Sequence, residues 1–318
     1  MRMHDFVWSK RPPHISVITP MFRALYIGWL CMESLSRQRT ATPWELIIAE
    51  ETKDVETYGL ERVLSYENAF KNAGCVKLTY IDLDHWIPLA DKQALIMRNT
   101  DPVSEIFAFH GADSFYPSTR LDETARAFSK GKTNWFSIIR SYRYHLGTNQ
   151  LMLVDRSFVE RKDDTLGRAI RASVIRKGLH RIKDATRGVD SLIYRSCNEV
   201  LNNRLKFTFD NTDMWQGTLV VEGIGTLSTK VKDRLFSGKR PLNPGYEFRG
   251  TALHRIIPQD IAKRVIECRK VLKRHDGSRP NWKYNIESTK DVRSLERAYR
   301  IKRGLERQAR RECQQGIS

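Results

Sequence analysis

The sequence predicts an α/β fold: a mostly parallel sheet with covering helices, followed by a basic, mainly helical extension. Three observations carry this prediction. Short β-branched runs alternate with longer amphipathic stretches through the first third of the chain, the pattern of strands joined by helical crossovers. Polar and acidic residues gather where those runs stop, at the carboxyl ends of the expected strands, where ligands of such sheets bind. Residues 1–160 carry 19 Lys and Arg against 19 Asp and Glu, so the whole net charge of +18 falls in residues 161–318.

The elements follow in order. Residues 1–13 end in Arg11-Pro12-Pro13 and read as a lead-in. His14 to Thr19 is a β-branched run stopped by Pro20, a buried first strand with its exit loop. Leu25 to Gln38 sets Leu25, Trp29, Met32 and Leu35 on one helical face. Trp44 to Ala49 is a second strand, ended by Glu50-Glu51, and residues 57–72 have helical character. Val76 to Ile81 is a third strand, 88–100 a further helix, and Ile106 to His110 a fourth strand running into Gly111-Ala112-Asp113. Beyond residue 120 the pattern loosens. Residues 166–184 are basic with helical spacing, Leu219 to Val221 is a strand, and 258–274 and 288–311 are basic helices. The expected division is a lead-in over 1–13, an α/β domain over 14–235 and a basic extension over 236–318.

Composition narrows the class. With 318 residues, 40% hydrophobic and 29% charged, the chain can bury a core. Five scattered cysteines without a CxxC pair point to a reducing compartment, not to a disulfide framework or zinc site. The first ten residues lack the apolar segment of a signal peptide, and no apolar run approaches the roughly 20 residues of a membrane span. The expected location is therefore the cytoplasm. There is no Walker A pattern, G-x-S-x-G or H-E-x-x-H. His85 and His110 lie at or after strand ends, and a structural role is the default for each.

The opening stretch, residues 16–52, resembles the start of family 2 glycosyltransferases, which have a GT-A fold. Ser34-Leu35-Ser36-Arg37-Gln38 and Trp44-Glu45-Leu46-Ile47 match that family's helix and second strand, and Glu50-Glu51 stand where it carries paired acids. A second block, Arg98-Asn99 followed by Ile106 to Leu121, is similar to the family's Arg-Asn pair, strand and Asp-x-Asp motif, with Pro117 and Leu121 at the familiar distances. Gly111-Ala112-Asp113 keeps the second acid of that motif alone. The likeness covers residues 14–125 and fades towards 230.

The resemblance implies a nucleotide-sugar donor, a UDP-sugar first, and a hexosyl transfer with inversion. It places donor contacts at Thr19, Pro20, Phe22, Glu50, Glu51, Arg98 and Asp113, with a carboxylate at 50–51 accepting hydrogen bonds from the base. Departure of a nucleoside diphosphate develops negative charge, which a divalent cation or cationic side chains must stabilise. Asp113 suits a hard cation, Mn²⁺ or Mg²⁺, which prefers oxygen ligands. With glycine at 111, Arg98 and other cations would take a larger share. Asp113 read without the family caps the next turn. An inverting transfer also needs a base. Asp190, after Gly188-Val189 and opening a helix, is the candidate, and an N-cap is its equal alternative. Asp155 and Asp213 are rivals. The Gly223 to Ser228 loop is a further, weaker phosphate candidate.

The acceptor is read from the basic half. Cations alternate with aromatics at Tyr246, Phe248 and Arg249, and again at Arg279, Trp282, Lys283 and Tyr284, the mix that holds nucleic-acid strands. DNA bearing a hydroxymethylated base is one acceptor, reached by base flipping. A lipid-linked glycan met at an anionic membrane surface is the second reading. A non-catalytic nucleic-acid-binding protein on a decayed transferase fold is the third. The modest apolar stripe of residues 288–311 favours DNA over lipid.

Overall fold

The computed structural model describes residues 1–52, 57–129, 131–157, 166–185, 188–209, 216–222, 246–250, 252–274, 297–299 and 301. Within them the chain runs β1 (Arg2–Val7), β2 (Ile15–Met21), α1 (Gly28–Ser36), β3 (Trp44–Glu51), α2 (Leu60–Leu64), α3 (Glu67–Asn72), β4 (Cys75–Leu83), α4 (Leu89–Arg98) and β5 (Ile106–Phe109). It continues with β6 (Ser114–Phe115), α5 (Arg120–Ser129), β7 (Trp135–Ile138), β8 (Arg140–His145), β9 (Gln150–Asp155), β10 (Leu166–Arg171), α6 (Ala172–Gly178) and α7 (Val189–Val200). The last elements are β11 (Phe207–Phe209), β12 (Leu219–Glu222), β13 (Tyr246–Gly250) and α8 (Gln259–Arg274).

The described strands form two sheets, one ordered β1-β4-β3-β2-β5-β10-β7-β11 and one ordered β13-β9-β8-β12-β6. The four strands read from the sequence, β2 to β5, make the parallel centre of the larger sheet. Its margins are mixed, because β1 pairs antiparallel with β4 and β10 lies antiparallel between β5 and β7.

Side-chain alternation assigns the two faces. Ile15 and Val17 of β2, with Leu46 and Ile48 of β3, join a core that includes α1, α3, α8 and the smaller sheet. Ile18, Ile47 and Ala49 point the other way, into a core built with α4, α6 and α7. Such strands, buried on both faces, read as continuous apolar runs rather than as alternation. Trp44 is fully buried, donates its indole N–H to the Ala73 carbonyl at 2.8 Å and meets Phe70 edge-on.

Three expectations change. Residues 2–7 are not a lead-in but an edge strand, with Arg2 opposite Asp82 and Val7 opposite Lys77. One side of it is exposed, which is why its polar residues hid the pairing, while Phe6 and Trp8 pack on the core. Residues 166–171, read as helical, form β10, whose Ala169 and Ile170 are buried between two strands before α6 begins. The stretch 57–72 is two short helices, with the chain turning at Ser65-Tyr66.

Beyond residue 235, β13 pairs antiparallel with β9 and α8 covers 259–274. Helix α8 packs Ile261, Ala262 and Val265 into the same core as α1. It is held there by ion pairs from Asp260 to Arg37 and from Arg264 to Glu33, and the Arg264 guanidinium lies 4.2 Å from the centre of the Trp29 ring. Cys31, Cys75, Cys197 and Cys268 are free thiols. No helix among the described residues is long and apolar enough to cross a membrane. Of 288–311, residues 297–299 and 301 are described and are helical. Asp213, Gly223 to Ser228 and the Arg279 to Tyr284 segment lie outside the described residues.

Candidate active site

The carboxyl ends of β2, β3 and β5 lie side by side, so the residues that end them share one rim. At the end of β3, Glu50 and Glu51 face opposite ways, as consecutive strand residues must. Glu50 turns towards the α1 side. Its carboxylate accepts the backbone N–H of Tyr58 at 2.7 Å and of Gly59 at 3.0 Å, and the Tyr80 hydroxyl at 2.7 Å. Burial pushes its pKa up, against the pull of those hydrogen bonds and of Lys92. Glu50 thus anchors Tyr58 and Gly59 just ahead of α2, and its described contacts are all internal.

Glu51 turns towards α4 and pairs with Lys92. The Lys92 ammonium also donates to the Met21 carbonyl at 2.7 Å and sits 5.5 Å from the centre of the Phe22 ring. One cation therefore ties the ends of β2 and β3 to the first turn of α4. The second carboxylate oxygen of Glu51, Oε1, is buried and has no hydrogen-bond partner among the described residues. Sequence reasoning missed Lys92. The signal was there: on a helical wheel it shares a face with Ile96, one turn on, so a lysine points into the apolar side of α4. Phe22 is half-buried in the exit loop of β2. Thr19 is fully buried beside the Cys31 thiol, and Pro20 lies in β2 opposite Ala49.

Arg98 is not brought to this rim. Helix α4 returns antiparallel to the strands, so its last residue lies at their amino ends, about 9 Å of helix rise from Lys92. There the Asp101 N–H donates to Glu45 at the start of β3, at 2.7 Å, and Arg98 itself is exposed.

Beyond β5 the chain makes a tight turn. The Ser114 N–H reaches the Gly111 carbonyl at 3.2 Å, and the Val221 N–H fixes the Asp113 carbonyl at 2.9 Å. The Ser114 hydroxyl donates to Asp113 Oδ1 at 3.1 Å. A Cβ at residue 111 would lie 2.7 Å from that same oxygen and 3.0 Å from Ser114 Oγ, so the glycine lets the aspartate fold against its own turn. Below, His110 is buried between Arg120 and the Ser114 carbonyl. Burial, then the charge of Arg120, hold its pKa well below the usual histidine value, so the ring is neutral. The structural default assigned to His110 agrees with this burial, and His85 is exposed beside Asp84.

Asp190 lies in the first turn of α7 and pairs with Arg168 of β10. Arg168 is buried, with its guanidinium 4.5 Å from the centre of the Phe109 ring at the end of β5. That contact brings Asp190 to the same rim, at the β5 side. The N-cap position of α7 is Gly188, so Asp190 is the second residue of the helix and not its cap, and its carboxylate is partly exposed. Asp155 pairs instead with Arg140 on the smaller sheet at 2.7 Å; although burial opposes it, hydrogen bonds from Ser157 and Arg140 hold its carboxyl below the ordinary range.

Among the described residues no three His, Cys, Asp or Glu side chains converge as a metal cluster. The turn offers the Asp113 carboxylate with the Ser114 hydroxyl beside it. Such a donor set fits a hard divalent cation that takes its remaining ligands from phosphate and water.

No protein-family model and no curated protein sequence matches the chain. Solved structures do. The S. aureus TarS fragment 1–349 in complex with UDP is 12% identical over 79% of this chain and 69% of that one, with a TM-score of 0.48. The same fragment in complex with UDP-GlcNAc is 12% identical over 84% and 74%, with a TM-score of 0.49. The mannosyltransferase PcManGT from Pyrobaculum calidifontis, in complex with GDP-Man and Mn²⁺, is 11% identical over 93% and 84%, with a TM-score of 0.46.

Proposed function

We propose that this chain is a GT-A-type glycosyltransferase that moves a hexose from a nucleotide sugar to an anionic acceptor, with inversion. The observation that carries this reading is the convergence of Phe22, the Glu51–Lys92 pair, the Asp113 turn and the Asp190–Arg168 pair on one rim of the parallel sheet. The donor base lies against Phe22, and Glu51 Oε1, buried and without a hydrogen-bond partner among the described residues, is the acceptor its N–H groups would meet on binding. Thr19, Pro20 and Glu50 shape the rim from within. Asp113 faces the diphosphate. A divalent cation bound there, Mn²⁺ or Mg²⁺, would offset the charge that develops on the leaving group. Asp190 takes the proton of the attacking hydroxyl while the anomeric carbon–oxygen bond to the diphosphate breaks. Arg168 keeps that carboxylate aimed.

The acceptor follows from charge. Lys177, Arg181, Lys183, Arg195, Arg204 and Lys206 are exposed on and around α6 and α7, the helix that Asp190 opens, with Lys206 towards the amino end of the sheet. Such a surface suits a phosphate backbone, and DNA carrying a hydroxymethylated pyrimidine is the acceptor we favour. The reaction then runs in the cytoplasm. A lipid-linked glycan presented at an anionic membrane surface is the second reading, favoured by the same cations.

Purified protein incubated with UDP- and GDP-sugars, Mn²⁺ or Mg²⁺, and either hydroxymethylpyrimidine DNA or lipid-linked glycan tests this directly. Mass gain on DNA nucleosides supports the favoured reading. Gain on glycan alone moves the enzyme to the membrane surface. The absence of both transfer and donor hydrolysis removes the catalytic reading and leaves a nucleic-acid-binding scaffold.

A further inference from the structure

Arg120 is the first residue of α5 and is fully buried, yet no carboxylate pairs with it among the described residues. Its guanidinium donates to the Phe109 carbonyl at 2.6 Å and to His110 Nδ1 at 2.7 Å, and lies 4.0 Å from the centre of the Tyr116 ring. Its Nε has no partner among the described residues. Burial of an unpaired charge is costly, and a well-packed apolar side chain would serve stability better. What the cation does supply is an assignment. A guanidinium only donates, so His110 Nδ1 accepts and the ring proton sits on Nε2. That proton faces the Ser114 carbonyl at 3.3 Å, and the Ser114 hydroxyl in turn donates to Asp113 Oδ1 at 3.1 Å.

We infer that Arg120 and His110 are positioning residues for Asp113, acting through a buried relay from Arg120 Nη1 to His110 Nδ1, from His110 Nε2 to the Ser114 carbonyl, and from Ser114 Oγ to Asp113 Oδ1. The relay rests on the donor-site reading above and explains the glycine at 111. A side chain there would occupy the space where the relay ends, since its Cβ would crowd both Asp113 Oδ1 and Ser114 Oγ. The single acid of this turn is therefore oriented from beneath, by hydrogen bonds, and a side chain at 111 would have to displace the Asp113 Oδ1 and Ser114 Oγ atoms at which they end.

The test is titration of UDP and of GDP, with Mn²⁺ present, into the full chain and its variants. Asp113→Asn and His110→Leu each weaken binding about tenfold, the scale of one charge-assisted hydrogen bond. His110→Gln can both accept from Arg120 and donate to Ser114, and it restores binding to within about threefold of wild type. In an Asp113→Asn background His110→Leu has no further effect, which a merely structural histidine would not show. Ser114→Ala, a smaller change, interrupts the relay at its last link and weakens binding in the same direction. If Asp113→Asn weakens binding while His110→Leu and Ser114→Ala do not, or if His110→Leu acts equally in the Asp113→Asn background, the relay is overturned and the donor site stands. If Asp113→Asn binds both nucleotides as wild type does, the donor-site reading falls and the relay with it.

Discussion

Glu51 and Lys92 form an ion pair whose side chains are 1% and 3% exposed, 41 residues apart in the chain and on different elements. Removing one partner of a buried pair strands the other charge, which costs about 3–5 kcal/mol. Lys92→Met is therefore expected to lower unfolding stability by that amount. The double variant Glu51→Gln/Lys92→Met should regain most of it. Denaturant unfolding of the four proteins measures the cycle, and equal losses in the single and double variants would refute the pairing as the cause.

Asp190→Asn should reduce transfer by about 10²–10⁴, the range for a lost general base, and leave nucleotide binding unchanged. Arg168→Met should lower turnover in the same direction with the donor KM preserved. Near-normal turnover of Asp190→Asn would return that residue to the role of a helix-start acid.

Arg98→Ala should change nucleotide affinity and stability little, within about 0.5 kcal/mol, because the side chain is exposed at the far end of α4. A large loss of donor binding would mean that the amino ends of the strands meet the donor after all.

At the crossing of α6 and α7 the helices come so close that a Cβ on Gly178 would collide with Ser196 Oγ, which itself donates to the Gly178 carbonyl at 2.7 Å. Gly178→Ala is expected to destabilise by about 1–3 kcal/mol, as overpacking does. Adding Ser196→Ala should recover part of this in a thermal melt.

The Arg37 guanidinium holds the Asp260 carboxyl below its ordinary pKa. A depressed folded value contributes stability above the unfolded value of about 4, and loses it as pH falls through the lower folded one. Because Asp260 is largely exposed, the contribution is at most about 1 kcal/mol and is weakened by salt. Protection of the α8 amides, taken relative to their intrinsic exchange rates, should accordingly fall on acidification below about pH 4 and at high salt, and Asp260→Asn should remove both dependences.

The parallel centre was legible because β2 to β5 are buried on both faces, and burial of that kind writes unbroken runs such as Leu46 to Ala49. The margins were not. Arg2 to Val7 and Leu166 to Arg171 carry arginine, histidine and aspartate at positions that pairing, not composition, makes into strands. In the proposed site, Asp113 and Asp190 were read through the family resemblance, and the one follows β5 while the other opens α7. Glu50 and Glu51 looked alike until strand alternation sent one to Tyr58 and the other to Lys92. Arg98 was misplaced because its position along a helix fixes which end of the sheet it reaches. Arg120 and His110 sit ten residues apart, and what joins them is the turn between β5 and α5.

Helix α8 closes over α1 from far along the chain: Arg37 and Asp260 are separated by 223 residues. At a synthesis rate of roughly 5–20 residues per second, the cover for Trp29 emerges about 10 to 45 seconds after the surface it shields. Through that interval the nascent chain carries an open apolar flank beside a nearly complete parallel sheet. That flank closes when α8 is made and Ile261 and Val265 reach the core.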